Sequence, residues 1–138
     1  MDKALNYLSL ARKGGMVELG EEPVNAITRT GKGYLVVVAG DASDHTWRRA
    51  KSFVAGTEQQ CIRLPFTKEE VGFVVGRTSL AIAAFTDAAL ALAFVKALPE
   101  PQKYAKETEV LEEKSSKLRQ RKAEAKAHQR NVRFGKKK

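Results

Sequence analysis

One cysteine and two histidines are too few for a disulfide framework, and their spacing does not suit a zinc site. Cys61 lies inside an apolar run, where a buried thiol is expected, and neither His45 nor His128 has a second ligand at metal-site distance along the chain. Neither a metal nor a cofactor is expected. Long hydrophobic runs are missing too. The longest apolar stretch, Ala88 to Leu98, is too short to cross a bilayer, and Asp2 and Lys3 stand where a cleavable leader would need apolar residues. A cytoplasmic protein with no membrane attachment is expected.

Positive charge is absent, in net, from most of the chain. The total is +9, yet Lys114 to Lys138 hold 11 of the 25 Lys and Arg and one of the 16 Asp and Glu, Glu124. That segment therefore carries +10, and residues 1–113 carry −1. A near-neutral body with a polycationic arm points to an anionic polymer as partner, with nucleic acid first. A membrane surface fits less well, because the arm has almost no apolar face.

Apolar periodicity and terminus signals divide the body. Asp2 to Lys13 puts Leu5, Leu8 and Ala11 on one helical face and stops at Gly14-Gly15. Met16 to Leu19 reads as a short strand, after which Gly20-Glu21-Glu22-Pro23 opens a second helix that Gly31 or Gly33 closes. Tyr34 to Ala39 is a continuous apolar, β-branched run, which predicts a strand covered on both faces. Ser43 or Asp44 caps a third helix that carries Trp47 and ends at Gly56, and Gln60 to Leu64 is another strand. Thr67-Lys68-Glu69-Glu70 has capping-box spacing for a short helix to Val75. Leu80 to Phe85 is a further buried strand, and Thr86-Asp87 caps a helix, Ala88 to Leu98, that Pro99 ends. Strands alternating with helices predict right-handed crossovers and an α/β fold. The expected architecture is a monomeric three-layer α/β/α sandwich with a roughly four-stranded central sheet.

This body spans residues 1–98, and its core is expected to be complete before Pro99. Residues 99–102 read as a Pro-containing hinge and 103–138 as a basic C-terminal extension, helical or disordered. Its large apolar residues, Tyr104, Val110, Leu111 and Leu118, are too few for a packing stripe, so most of the helix is expected to fray when free.

No catalytic constellation emerges, and no enzyme is expected. Gly31-Lys32-Gly33 lacks the ending of a phosphate loop and precedes a strand instead of following one. Ser43-Asp44-His45 has the letters of a triad, but neighbours at a helix start point in different directions. The pairs Glu21-Glu22 and Glu69-Glu70 lie in helix first turns, where the dipole favours carboxylates. Two surfaces do suit a nucleic acid. The helix start from Gly20 to Asn25 offers free backbone N–H groups, the carboxylates of Glu21 and Glu22 and the amide of Asn25. The turn Gly76-Arg77-Thr78-Ser79 offers an arginine and two hydroxyls before a strand.

Four blocks then occur in register: LSLARKGGMVELGEE from Leu8 to Glu22, LVVVAGDAS from Leu35 to Ser43, FTKEEVGFVVG from Phe66 to Gly76, and AAFTD from Ala83 to Asp87. Together they resemble the ribosomal-protein-like L-seven-Ae family, of the L-thirty-e-like kink-turn-binding group, and in particular its short bacterial branch. The resemblance covers roughly residues 2–98 and implies an α/β/α sandwich that binds kink-turn RNA without catalysis. It also implies a contact surface made of Gly20 to Asn25 and Arg77-Thr78-Ser79. In the family pattern a polar residue stands where this chain has Pro23, and a lysine where it has Ala26. Two contacts of about 1–3 kcal/mol each are thereby removed. Arg29 and Lys32 follow along the same helix as further phosphate contacts.

The expected function is non-catalytic binding of structured, kink-turn-like RNA by the body, in association with ribosomes or their assembly. Arg119, Arg121, Lys122, Arg130, Arg133, Lys136, Lys137 and Lys138 of the arm are expected on phosphates. The alternatives are a protein–protein adaptor of the translation machinery and an accessory RNA-binding subunit of a separate RNA-modifying enzyme.

Overall fold

The computed structural model describes the backbone of residues 2–135 and the side chains of residues 2–125. Local signals set the helices. Helix α1 (Lys3–Lys13) starts where the Asp2 carboxylate accepts the Ala4 N–H at 2.9 Å, and it buries Ala4, Leu5, Leu8 and Ala11. Strand β1 (Val17–Leu19) and helix α2 (Glu21–Arg29) follow. Strand β2 (Leu35–Val38) is buried at all four positions. Helix α3 (Asp44–Val54) is capped by Ser43, whose hydroxyl accepts the Thr46 N–H. Next come strand β3 (Gln60–Arg63) and helix α4 (Lys68–Phe73), whose Thr67–Glu70 capping box makes both reciprocal bonds. Strand β4 (Ile82–Phe85) leads through the Asp87 cap into α5 (Ala88–Lys96). A short 3-10 turn, Pro101–Tyr104, introduces α6 (Ala105–Gly135).

The four strands form one sheet in the order β1-β4-β2-β3. Helices α2 and α3 cover one face, and α1, α5 and the first half of α6 cover the other. The central strands β4 and β2 are buried throughout, whereas the edge strands β1 and β3 are mostly half-buried. Phe85 of β4 and Phe94 of α5 pack with ring centroids 4.8 Å apart. The three-layer sandwich is the predicted one, but a crossover does not account for the direction of the last strand. Strands β1, β2 and β3 run in one direction, and β4 is antiparallel to both its neighbours. The six residues of α4 rise only about 9 Å. That is too little to carry the chain back along the sheet, so β4 starts at the end where β3 stops.

The core does not close before Pro99. Leu111 of α6 is 1 % exposed and belongs to the same apolar cluster as Leu35, Phe94 and Val95. Tyr104, Thr108, Leu111, Ser115 and Leu118 are spaced four, three, four and three apart, all buried or half-buried, and form a heptad seam against the body. Large apolar residues alone understate this stripe. Thr108 turns its hydroxyl onto the Tyr104 carbonyl at 2.8 Å, and Ser115 is simply small. After Leu118 every described side chain is exposed, so α6 has a docked half and a projecting half.

Truncating Leu111 to alanine should therefore cost about 2–4 kcal/mol in denaturant unfolding. A chain ending at residue 102 should lose at least as much, whereas one ending at residue 125 should keep the full stability.

Candidate nucleic-acid interface

Helix α2 begins at Gly20 with φ of +99°, a conformation open mainly to glycine. The Gly20 N–H donates to the Ile82 carbonyl at 3.0 Å, which pins the helix start beside the first residue of β4. The turn that feeds β4 lies against it: a Cβ added at Gly20 would stand 3.9 Å from an Arg77 Nη. The two surfaces picked out from sequence are thus one. Glu21 is half-buried and ion-paired with Arg49 of α3, while Glu22 is exposed. Asn25 is half-buried, with its carbonyl accepting the Thr28 hydroxyl at 3.0 Å.

Arg77, Thr78 and Ser79 are all exposed. Their turn is held by the Arg77 N–H on the Gly72 carbonyl at 2.9 Å and the Leu80 N–H on the Lys68 carbonyl at 2.9 Å. Gly72 makes the close approach possible, because a Cβ there would stand 2.7 Å from Ser79 Cα and 2.9 Å from the Arg77 carbonyl oxygen. Phe73, the next residue, is 76 % exposed. Gly72 and Arg49 are contributors that sequence reasoning missed, whereas Phe73 lines a separate cavity with Asp2 and Leu5. A glycine inside a helix, costing about 1 kcal/mol against alanine, was the available signal for Gly72. Arg49 meets Glu21 across 28 residues, which no local pattern reveals.

Other predicted residues stand elsewhere. Arg29 is exposed on the stripe of Glu22 and Ala26, about 10 Å further along α2, and Lys32 is exposed beyond its end. Arg119, Arg121 and Lys122 are exposed on the projecting half of α6. Arg119 and Lys122 line a cavity with Asp87 and Ser115, at the opposite end of the sheet from Gly20. The side chains of Arg130 and Arg133, and Lys136, Lys137 and Lys138 altogether, lie outside the described residues.

The Ser43 hydroxyl is occupied as a cap, and Asp44 and His45 are exposed beside it. Among the described residues no three of His, Cys, Asp and Glu come together as a metal site, and no helix is long and apolar enough to cross a membrane. Cys61, expected to be buried, is half-buried on β3, and burial pushes its thiol up to about 12.

The sequence is 35 % identical over 75 residues to RNA-binding protein YlxQ of Enterococcus faecium, an L-seven-Ae protein, covering 54 % of this chain and 72 % of that one. The chain belongs to the L-seven-Ae family. No family model matches it. A Bacillus halodurans protein of unknown function shares the L-seven-Ae-type fold, with a TM-score of 0.66 at 21 % identity over 70 % of this chain and 97 % of that one. So does the Giardia lamblia 15.5kD RNA binding protein, with a TM-score of 0.51 at 17 % identity over 67 % and 79 % of the two chains.

Two measurements check this geometry. Gly72→Ala should push the Arg77–Ser79 turn outward and cost about 1–3 kcal/mol in unfolding experiments. Alkylation of Cys61 should rise about tenfold per pH unit from pH 7 to 11, with no plateau near the ordinary thiol value of about 8.5.

Proposed function

We propose that the protein is a non-catalytic, cytoplasmic RNA-binding protein that takes structured, kink-turn-like RNA at the α2 start, in association with ribosomes or their assembly. The observation that carries this reading is the apposition of Gly20 and Arg77. A kink-turn presents unpaired base edges beside a sharply bent backbone. The Glu22 carboxylate accepts from exposed base N–H groups, the Glu21 and Glu22 backbone amides face the same space, and Arg77 supplies the cation for the bend. Arg49 neutralises Glu21 and removes one source of repulsion towards phosphate. The names of the Enterococcus and Giardia proteins agree with RNA as the ligand class.

The arm contributes attraction without choice of sequence. Its exposed Arg119, Arg121 and Lys122 stand away from the α2 start, so an RNA touching both must be long enough to reach around the sheet end.

Binding of the full chain to a kink-turn RNA and to a plain duplex, at two salt concentrations, tests this division. Arg77→Ala should weaken the kink-turn complex by about 1–3 kcal/mol and the duplex complex much less. Replacing Arg119, Arg121 and Lys122 by glutamine should weaken both and flatten the log K against log salt slope by about 2. Equal affinity for the two RNAs, with Arg77→Ala lowering both alike, would overturn the reading.

A further inference from the structure

The sheet end that carries the α2 start continues to a second aromatic and cationic surface. Gly20 pairs with Ile82, Ile82 stands opposite Val38, and Val38 stands opposite Arg63. One row therefore runs from Gly20 to Arg63 across three strand spacings, about 14 Å. Above Arg63 lies Trp47 of α3, the chain's single tryptophan, half-buried. The Arg63 guanidinium sits 5.4 Å from the indole centroid, and Lys51 Nζ sits 5.3 Å from the same ring. An open groove of about 550 Å³ runs past Trp47 and Arg63, lined also by Pro65, Lys103 and Tyr104, with Lys51 reaching it only through the indole ring. Glu107 is the one acid on its wall, and Lys103 shares its charge with Glu100.

Arg63 is incompletely held. Its Nη2 donates to the Ala42 carbonyl at 2.8 Å, but its Nε is buried with no acceptor. A buried donor without a partner is a disfavoured state, and a phosphate oxygen or base carbonyl drawing the guanidinium into the groove relieves it. The Tyr104 hydroxyl donates to the Arg63 carbonyl at 3.4 Å, which ties α6's leading turn to the β3 edge within the groove wall.

We propose that this groove binds a single-stranded RNA segment, with one base stacked at the Trp47–Arg63 platform and phosphates on Lys51 and Arg63. The inference rests on the RNA-binding reading above and adds a second contact to it: unpaired RNA leaving the α2 start crosses the sheet end and enters the groove. Arg49 and Lys51 stand on α3 between the two. An acidic peptide meets the cations equally well, but it leaves the indole unused. A base uses both.

The full-length chain is titrated with an oligouridylate of about ten nucleotides, within the usual single-strand site size, and Trp47 emission is followed beside anisotropy of a labelled copy. Emission should be quenched in step with binding. Trp47→Ala should lose about tenfold in oligouridylate affinity, the value of one stacked base, while Trp47→Phe keeps most of it. Arg63→Gln should weaken binding with the indole intact. Heparin, an anion without bases, should bind the arm and leave Trp47 emission unchanged. Saturated oligouridylate binding with unchanged emission, or affinity unaltered by Trp47→Ala, overturns the inference. Quenching by polyglutamate equal to that by oligouridylate also overturns it and gives the groove to an acidic peptide. A kink-turn RNA without unpaired flanks reports on the α2 start alone. If it fails to bind while oligouridylate still quenches, the kink-turn reading falls and the groove stands.

Discussion

The antiparallel insertion of β4 between β1 and β2 decides where every surface group of interest stands. Apolar patterning cannot choose its register, because β4 and β2 are apolar at each position and buried on both faces, so a one-residue slip exposes nothing polar to the core. Backbone bonds at one end choose it instead. Gly20 N–H meets the Ile82 carbonyl, Ala39 N–H meets the Ala81 carbonyl at 2.9 Å, and Leu80 N–H meets the Lys68 carbonyl. Side-chain size then agrees, with Ala83 and Ala84 in the crowded middle and Phe85 against Phe94. These same bonds bring the Arg77 turn onto the α2 start. The constraint that fixes the sheet is also the one that assembles the candidate interface.

Helix α6 shows a second coupling between packing and placement. Its heptad seam docks Leu111 and Ser115 and leaves Arg119, Arg121 and Lys122 in solvent. The Lys114–Glu58 pair reinforces the dock: a hydrogen bond from the ammonium, with its charge, holds the exposed Glu58 carboxyl below the usual carboxylate range. Such an exposed pair adds little stability by itself. The arm's described cations, Arg119, Arg121 and Lys122, are presented from the α1–α5 face and not from the α2 face.

Helix ends and strand cores were legible in the sequence because their causes are local. Thr67 and Asp87 cap the helices they were expected to cap, and Ser43 is the one of the Ser43/Asp44 pair that caps α3; the buried runs in β2 and β4 need no partner to be recognised. Strand order was not legible, since alternation of helix and strand carries no direction and the shortness of α4 mattered more than its presence. The docking of α6 was hidden by counting only large apolar residues, when Thr108 and Ser115 complete the seam. The two candidate surfaces could be named separately from Gly20 and Arg77. Their contact, the Arg49–Glu21 pair and the Trp47–Arg63 stack all join residues far apart in sequence.

Charge and distance together limit what the arm does for the body. The α2 start is close to neutral, with Glu21 offset by Arg49, and with the exposed Glu22 carboxylate on the same turn as Gly20, which the Arg77 guanidinium approaches. From Ile82 to Asp87, where the arm's described cations begin, the extended chain spans about 17 Å. That is roughly twice the screening length of about 8 Å at physiological salt. The field of these described cations is therefore weak at the α2 start, and their contribution on the proposed reading comes from contacts on the same RNA molecule. Two linked contacts multiply through effective concentration, so the arm favours RNAs by length. The α2 start, and the groove beside Trp47, are left to favour them by shape.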